Sequence, residues 1–447
     1  MSPPARPLTP ARGGAENPAS ARKIASLALP ALVVLAAEPL YVLVDTAVVG
    51  HLGPVPLAAV AVSGSVMSVA AWLGALMSYG TTGRAARRFG AGDRAAAVAE
   101  GVQASWLALC VGVLLALLAQ PFAGPLAHAL AGDAETADAA AGWLRVAVLG
   151  APGLLLAAAG NGWMRGVQDT RRPLIFVLGA NVLSAILCPV LVYPVGWGLT
   201  GSAVANVVAQ TISGGFFLYA LIRETKQLRP DPQIILLQLR LGRDLLIRGG
   251  AFQACFLSAT AVASRFGVAS VGAHQIGLQL WFFAALALDA VAIAAQSLVG
   301  AALGGGSADE AQAVARKVTI AGGFSGVAFA LLVTAGAGSI PGWFTPDAGV
   351  HAQAAIIWPW FIGLVPFAGI VYALDGVLIG AGDVRFLRNV TLAATLLGFL
   401  PAIWIAYFFD LGLGGVWAGL ALLILIRFVA AVWRWRSGRW AVTGVTR

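Results

Sequence analysis

The sequence predicts an all-α polytopic membrane protein of twelve transmembrane helices, arranged as two parallel six-helix halves. Three observations predict it. Of the 447 residues, 59% are hydrophobic and only 11% charged, against about 25% charged in a soluble domain. Apolar stretches of roughly 20 residues or more, each able to cross a ~30 Å hydrocarbon core, recur between clusters of Gly, Pro and charge. An internal repeat relates the two halves of the chain at an offset of 214 residues. That offset places Pro152 on Pro366, Gly162 on Gly376, Gly166 on Gly380, Asp169 on Asp383, Arg171 on Arg385 and Gly201 on Gly415. It also aligns Thr46-Ala47-Val48 with Thr260-Ala261-Val262, and Gly53 with Gly267. Because six is even, both halves enter the membrane in the same direction.

In chain order, residues 1–22 are rich in Pro, Ala, Gly and Arg and are expected to form a disordered cytoplasmic tail. The following apolar run continues through Glu38 and Asp45 without a convincing cleavage site, so it reads as a span and not as a signal peptide. An N-lobe over 23–222 holds helices near 24–50, 57–82, 96–120, 139–163, 173–194 and 200–222. A charged cytoplasmic linker over 223–243, containing RPDP, leads to a C-lobe over 244–436. Its helices are placed near 244–266, 271–300, 311–336, 352–379, 386–409 and 413–433, before a cytoplasmic tail over 437–447. Basic residues set the orientation. Arg22, Lys23, Arg84, Arg87, Arg88, Arg171, Arg172, Arg223, Lys226, Arg316, Lys317, Arg385, Arg388, Arg434, Arg436 and Arg439 fall on one side, whereas Arg145 and Arg265 fall near the opposite ends. A multi-pass protein of the plasma (inner) membrane with both termini cytoplasmic follows.

Composition narrows function by exclusion. A net charge of +9 would suggest nucleic acid in a soluble chain, but these charges sit between apolar runs and report topology. Cys110, Cys188 and Cys255 lie within spans in no metal-like spacing and read as small packing residues, so no metal site and no cofactor are expected. The Gly-Val-Gln-Asp and Gly-Ala-Gly-Asp turns at Gly166 and Gly380 lack the Lys-Ser/Thr of a phosphate loop and read as helix C-caps. No serine motif with a partner and no His/Asp cluster supports a membrane-embedded hydrolase, so the chain is not expected to be an enzyme.

What remains is a set of polar groups inside the spans. Glu38, Tyr41 and Asp45 stand at i, i+3 and i+7, on one stripe of helix 1, with the two acids about 10 Å apart along the axis. Pro39 lies between them and favours a bend. An acid at the centre of a bilayer-spanning helix costs roughly 2.5–3.5 kcal/mol, so it persists where it faces a cavity or performs a task. Helix 8 carries Gln275, Gln279, Phe282, Leu286, Asp289, Ile293 and Gln296 on one face, and helix 10 carries Tyr372 and Asp375. Either a cavity lining or interhelical hydrogen bonding explains these faces. Asp375 falls opposite Asn161 in the repeat, Asp289 opposite Ala75, and Asp45 opposite Ala259. Each half therefore has its own polar centre.

The VDTAVVGHLG segment, the GNGWMRGVQDTRRP stretch, the AHQIGLQLW and LDAVAIAAQSLVG pair and the LDGVLIGAGD segment together resemble multidrug and toxic compound extrusion (MATE) transporters, specifically the DinF-like branch. The resemblance implies two six-helix lobes forming a V around a central cavity. It also implies export of small organic, often cationic, compounds in exchange for protons or sodium ions. Asp45 matches the family's first-helix aspartate, Tyr41 its companion tyrosine and Asn161 its helix 4 partner. Ser184 and Cys188 stand where some relatives carry Asn and Asp, and Asn206 stands where several carry threonine. Loss of that second aspartate weakens a sodium site, because hard cations require several oxygens. The expectation is thus a proton-coupled antiporter of cationic or amphipathic compounds. Asp45, Glu38, Tyr41 and Asn161 serve the proton, Ser184 and Asn206 are N-lobe polar partners, and Gln275, Gln279, Phe282, Asp289, Gln296, Tyr372 and Asp375 line the substrate cavity. A sodium-coupled exporter and a lipid or lipid-linked precursor flippase are the alternatives; flippase cavities tend to be strongly cationic, and the acids at Asp45, Asp289 and Asp375 favour a cationic or neutral cargo.

Overall fold

The computed structural model describes residues 20–445. Most of the expected N-terminal tail and the last two residues lie outside them. Among the described residues, twelve helices are long and apolar enough to cross a membrane. They are α1 (Ala21–Gly50), α2 (Pro54–Gly90), α3 (Arg94–Leu130), α4 (Ala134–Gly166), α5 (Arg171–Val192), α6 (Gly198–Glu224), α7 (Pro232–Arg265), α8 (Val268–Gly304), α9 (Ala308–Gly336), α10 (Ala348–Gly380), α11 (Val384–Phe408) and α12 (Gly412–Arg436).

Local chemistry at the helix ends repeats with the offset seen in the sequence. Asp93 caps α3 by accepting from the Ala96 amide, and Ser307 caps α9 from the Glu310 amide. Asp133 and Asp347 cap α4 and α10 through the Thr136 and Val350 amides. Such caps satisfy amides that the helix itself leaves without partners. Left-handed backbone conformations fall at paired positions as well: Gly53 with Gly267, Gly92 with Gly306, Gln168 with Gly382, Gly196 with Asp410, and Gly198 with Gly412. The two halves share their turns, not only their hydrophobic pattern.

Helices α2 and α8, equivalent in the repeat, cross where the halves meet. A Cβ on Gly90 would lie 1.9 Å from the Ala301 carbonyl oxygen, and one on Gly304 would lie 1.9 Å from that of Arg87. Arg87 and Ala301 are themselves repeat partners, as are Ala86 and Gly300, and a Cβ on Gly300 would meet Ala86 Cβ at 2.7 Å. These reciprocal contacts mark a local two-fold axis and seal one end of the bundle. The first and last described segments lie at that seal. Ile24 and Leu27 of α1 pack with Leu303, Ala311 and Trp440, and Arg87 donates to the carbonyls of Ala381 (2.7 Å), Val442 (3.1 Å) and Gly444 (2.7 Å).

Two departures from the sequence reading have local causes. Residues 232–243, expected within a linker, are the first turns of α7, started by Asp231 accepting from the Gln233 and Ile234 amides ahead of Pro232. Their polar groups are used in packing; Gln238 donates to the Glu100 carbonyl (3.0 Å) and carboxylate (3.2 Å) on α3. Helix α11 widens into a π-helical segment, Ala394–Phe399, just before Pro401, whose missing N–H removes an ordinary helical bond. Helix α1 continues as one helix through both Pro30 and Pro39, the second of which favours a bend beside Glu38.

Candidate functional site

Three polar places lie inside the bundle, between the sealed end and the opposite face. The first surrounds Asp45, near the far end of α1 and only 5% exposed. The Ser202 hydroxyl of α6 donates to Asp45 Oδ1 at 2.7 Å, and the Cys188 thiol of α5 donates to the same oxygen at 3.1 Å. Trp143 of α4 in turn donates through Nε1 to the Ser202 hydroxyl at 3.2 Å. One turn away, the Asn206 amide donates to the Tyr41 hydroxyl at 3.5 Å, and the buried Ser184 hydroxyl stands close by. Asp45 is thus held by neutral donors from two other helices of its own lobe.

The second place is a cavity of about 180 Å³ among α1, α2, α4, α5 and α6, whose lining includes Glu38, Asn161, Arg165, Ser78 and Tyr79. Glu38 and Asn161 belong here and Asp45 does not. The expected proton-coupling set therefore divides into two pairs, Asp45 with Tyr41 and Glu38 with Asn161. Seven residues of α1 carry Glu38 about 10 Å towards the sealed end, and α1 presents it to this cavity while Asp45 turns into the α5–α6 contact.

The third place is the central cavity, about 560 Å³, bounded by α2 from the first half and by α7, α8, α10 and α12 from the second. Its wall is largely aromatic and aliphatic, including Trp72, Phe252, Phe256, Trp281, Phe282 and Trp417. The expected residues Phe282, Asp289, Gln296, Tyr372 and Asp375 line it. Gln275 and Gln279 do not. Both are exposed on α8, and at the depth of Gln279 it is the neighbouring Leu278 that faces the cavity.

The cavity's carboxylates are not available in the way expected. Asp375 accepts from both Arg248 of α7 and Arg427 of α12, the latter at 2.5 Å. Both guanidinium groups also lie over the Phe252 ring, at 5.5 and 4.5 Å from its centroid. Asp289 accepts from the Tyr79 hydroxyl of α2 at 2.5 Å, a bond between the halves, with the buried Arg165 charge close by. The expectation of a cationic or neutral cargo rested on these acids, and the cavity wall carries Arg248 and Arg427 as well as Asp289 and Asp375. Counting basic residues by loop concealed these arginines. An intramembrane arginine within the spans 244–266 and 413–433 was the signal that could have found them.

A two-lobed helical bundle around a central cavity, with one carboxylate site in a lobe wall, is the architecture of a membrane transporter. Comparison with known proteins agrees: the MatE family model matches residues 30–190 and 250–404. Protein DETOXIFICATION 44, chloroplastic, of Arabidopsis thaliana is 32% identical, over 94% of this chain and 83% of its own. DNA damage-inducible protein F of Escherichia coli (strain K12) is 30% identical, over 93% of this chain and 92% of its own. Among solved structures, MATE in the bent conformation superposes with a TM-score of 0.86 at 23% identity, covering 95% of each chain. The chain belongs to the MATE family of multidrug and toxic compound transporters, in its DinF-like branch.

Proposed function

We propose that the chain is not an enzyme but an exporter of small amphipathic organic compounds, driven by protons that enter through Asp45, in a plasma membrane with both termini cytoplasmic. The observation that carries the proton assignment is the Asp45 environment, a buried carboxylate met by the Ser202 hydroxyl and the Cys188 thiol. These neutral donors suit a group that gains and loses a proton, whereas a sodium ion would require several oxygen ligands. Protonation removes a buried charge from a low-dielectric site. The far half of α1 is then free to shift against α5 and α6, while its other half packs on α8 through Ala31, Ala290 and Ile293. Helix α1 touches both halves, so a change at Asp45 reaches the central cavity, and proton and cargo compete through linked states. Glu38 acts from its own cavity, through its field and not by contact.

The test is uptake of an amphipathic dye into proteoliposomes under an imposed pH gradient or an imposed sodium gradient, for the parent and for Asp45→Asn. Transport should follow the pH gradient and be lost in Asp45→Asn. Sodium-driven transport without proton dependence reverses the ion assignment, and full pH-driven transport by Asp45→Asn removes that residue from the mechanism. Orientation rests on the basic residues near the sealed end and is read by labelling single cysteines: reagent added outside should miss positions near Arg223 and Arg385.

A further inference from the structure

The two arginines on the C-lobe side of the central cavity outnumber the carboxylate they share. Asp375 Oδ2 accepts one N–H from Arg248 and one from Arg427, so this cluster carries a formal charge of +1. A guanidinium has five N–H donors. The Arg248 Nε–H is buried with no hydrogen-bond partner, although Arg248 is only 9% exposed and lines the cavity. The other cavity carboxylate, Asp289, is bonded to the neutral Tyr79 and lies near both Arg165 and Arg248; with Arg165 counted, three arginines face two carboxylates and the excess of +1 remains. Burying an unsatisfied N–H on a charged group costs several times an ordinary hydrogen bond. Each guanidinium gives Asp375 a single N–H, so both keep donors for a second acceptor.

We infer that this cluster binds the anionic head of an amphipathic cargo, a carboxylate, sulfonate or phosphate monoester anion, while the aromatic wall takes the cargo's apolar body. Planar guanidinium groups suit such oxyanions, because two parallel N–H bonds match two oxygens. Phe252 lies under both guanidinium groups and holds them at one place on the wall. A volume of about 560 Å³ accommodates a molecule of drug or single-chain lipid size. Asp375 is the internal stand-in for the cargo's head, occupying the pair when no anion is present. The inference rests on the central cavity being the cargo site, as proposed above, but not on Asp45 or on the coupling ion.

The experiment is equilibrium binding to the purified full-length chain in neutral detergent, followed by the fluorescence of 11-(dansylamino)undecanoic acid. Its uncharged amide and the corresponding trimethylammonium compound serve as controls. The carboxylate should bind about tenfold or more tightly than the amide, with the cation weakest. Arg248→Gln and Arg427→Gln should each remove that preference, and Asp375→Asn, which releases both guanidinium groups, should increase it. Should the single arginine variants not fold, the triple variant Arg248→Gln/Asp375→Asn/Arg427→Gln removes the whole buried cluster and should bind carboxylate and amide alike. Equal binding of carboxylate and amide by the parent, or a preference that survives in the triple variant, overturns the inference. Nanodiscs separate the two sources of such an anion. If a lipid headgroup occupies the site, the probe binds more weakly in phosphatidylglycerol than in phosphatidylcholine; if a free anion does, the two bilayers give the same affinity. The readout is equilibrium binding by the parent and the cluster variants and needs no ion gradient, so failure of proton coupling and failure of the anion site are separately visible.

Discussion

Gln168 ends α4 in a left-handed conformation, φ 61°, where the equivalent position of the second half has Gly382 at φ 73°. Both helices close in the same way, with the Asp169 amide donating to Met164 and the Asp383 amide to Leu378. A side chain in that conformation is strained by about 1–2 kcal/mol, and glycine returns part of the difference as unfolded-state entropy. Gln168→Gly should therefore raise stability by about 0.5–1 kcal/mol, seen as a higher thermal midpoint in detergent, with transport unchanged. A lower midpoint would show that the glutamine side chain makes a contact worth more than the strain. Legibility at this scale was uneven. Asp45 and Tyr41 could be read because polar groups in apolar spans stand out, and Asn206 came from the family resemblance. Ser202 and Trp143 could not, since a serine and a tryptophan in such spans are ordinary and only folding brings them to Asp45. Cys188, read as packing, proved to be a donor to that carboxylate.

At the scale of the element, α1 is the part with two attachments. Its first turns pack with the second half through Ile24 and Leu27, and its last turns hold Asp45 against α5 and α6. Pro39 stands between these attachments inside an unbroken helix, and its ring leaves the Leu35 carbonyl without the usual helical donor. Pro39→Ala restores that bond and stiffens the link. The variant should be at least as stable as the parent but transport more slowly, measured as the initial rate of pH-driven dye uptake beside the thermal midpoint. Unchanged uptake would show that α1 moves as a rigid body. Helix positions were legible wherever an apolar run defined them, although α2 and α3 run eight and ten residues past the expected ends at 82 and 120. The start of α7 was hidden, because Gln238, Arg240, Arg243 and Asp244 read as solvated charge. In the folded chain Gln238 meets Glu100, and Asp244 accepts from Arg388 at 2.7 Å and from Arg243 at 3.1 Å. Density of charge does not tell a linker from a helix whose charges are paired.

At the scale of the whole molecule, the repeat visible in the sequence reappears as a seal. Gly90 and Gly304 are repeat partners, and each lets the backbone of the other half come so near that a Cβ would overlap a carbonyl oxygen. The seal is reinforced across the junction by Arg87 of α2, bonded to Ala381 of α10 and to the C-terminal segment, and by the Gly444 amide donating to the Leu303 carbonyl at 2.9 Å. Trp440, fully buried, fastens that segment to the second half. No flexible side chain tip is involved at either glycine, so neighbouring backbone would have to move to admit even a methyl group. Gly304→Val should thus prevent this end from closing without unfolding either half, whose packing lies elsewhere. A cysteine placed at Gly80, where a Cβ meets no neighbour and which lines a small cavity with Arg84 and Ile379 on the inner side of the crossing, should then react faster with a membrane-permeant thiol reagent. Net transport should fall by about tenfold or more, because a carrier confined to one access state cannot complete its cycle. Truncation after Ser437 removes the segment but not the crossing, so it should raise the same reactivity by less. If Gly304→Val transports as the parent does, the α2–α8 crossing is not the closing surface, and the cycle turns on a different contact between the halves.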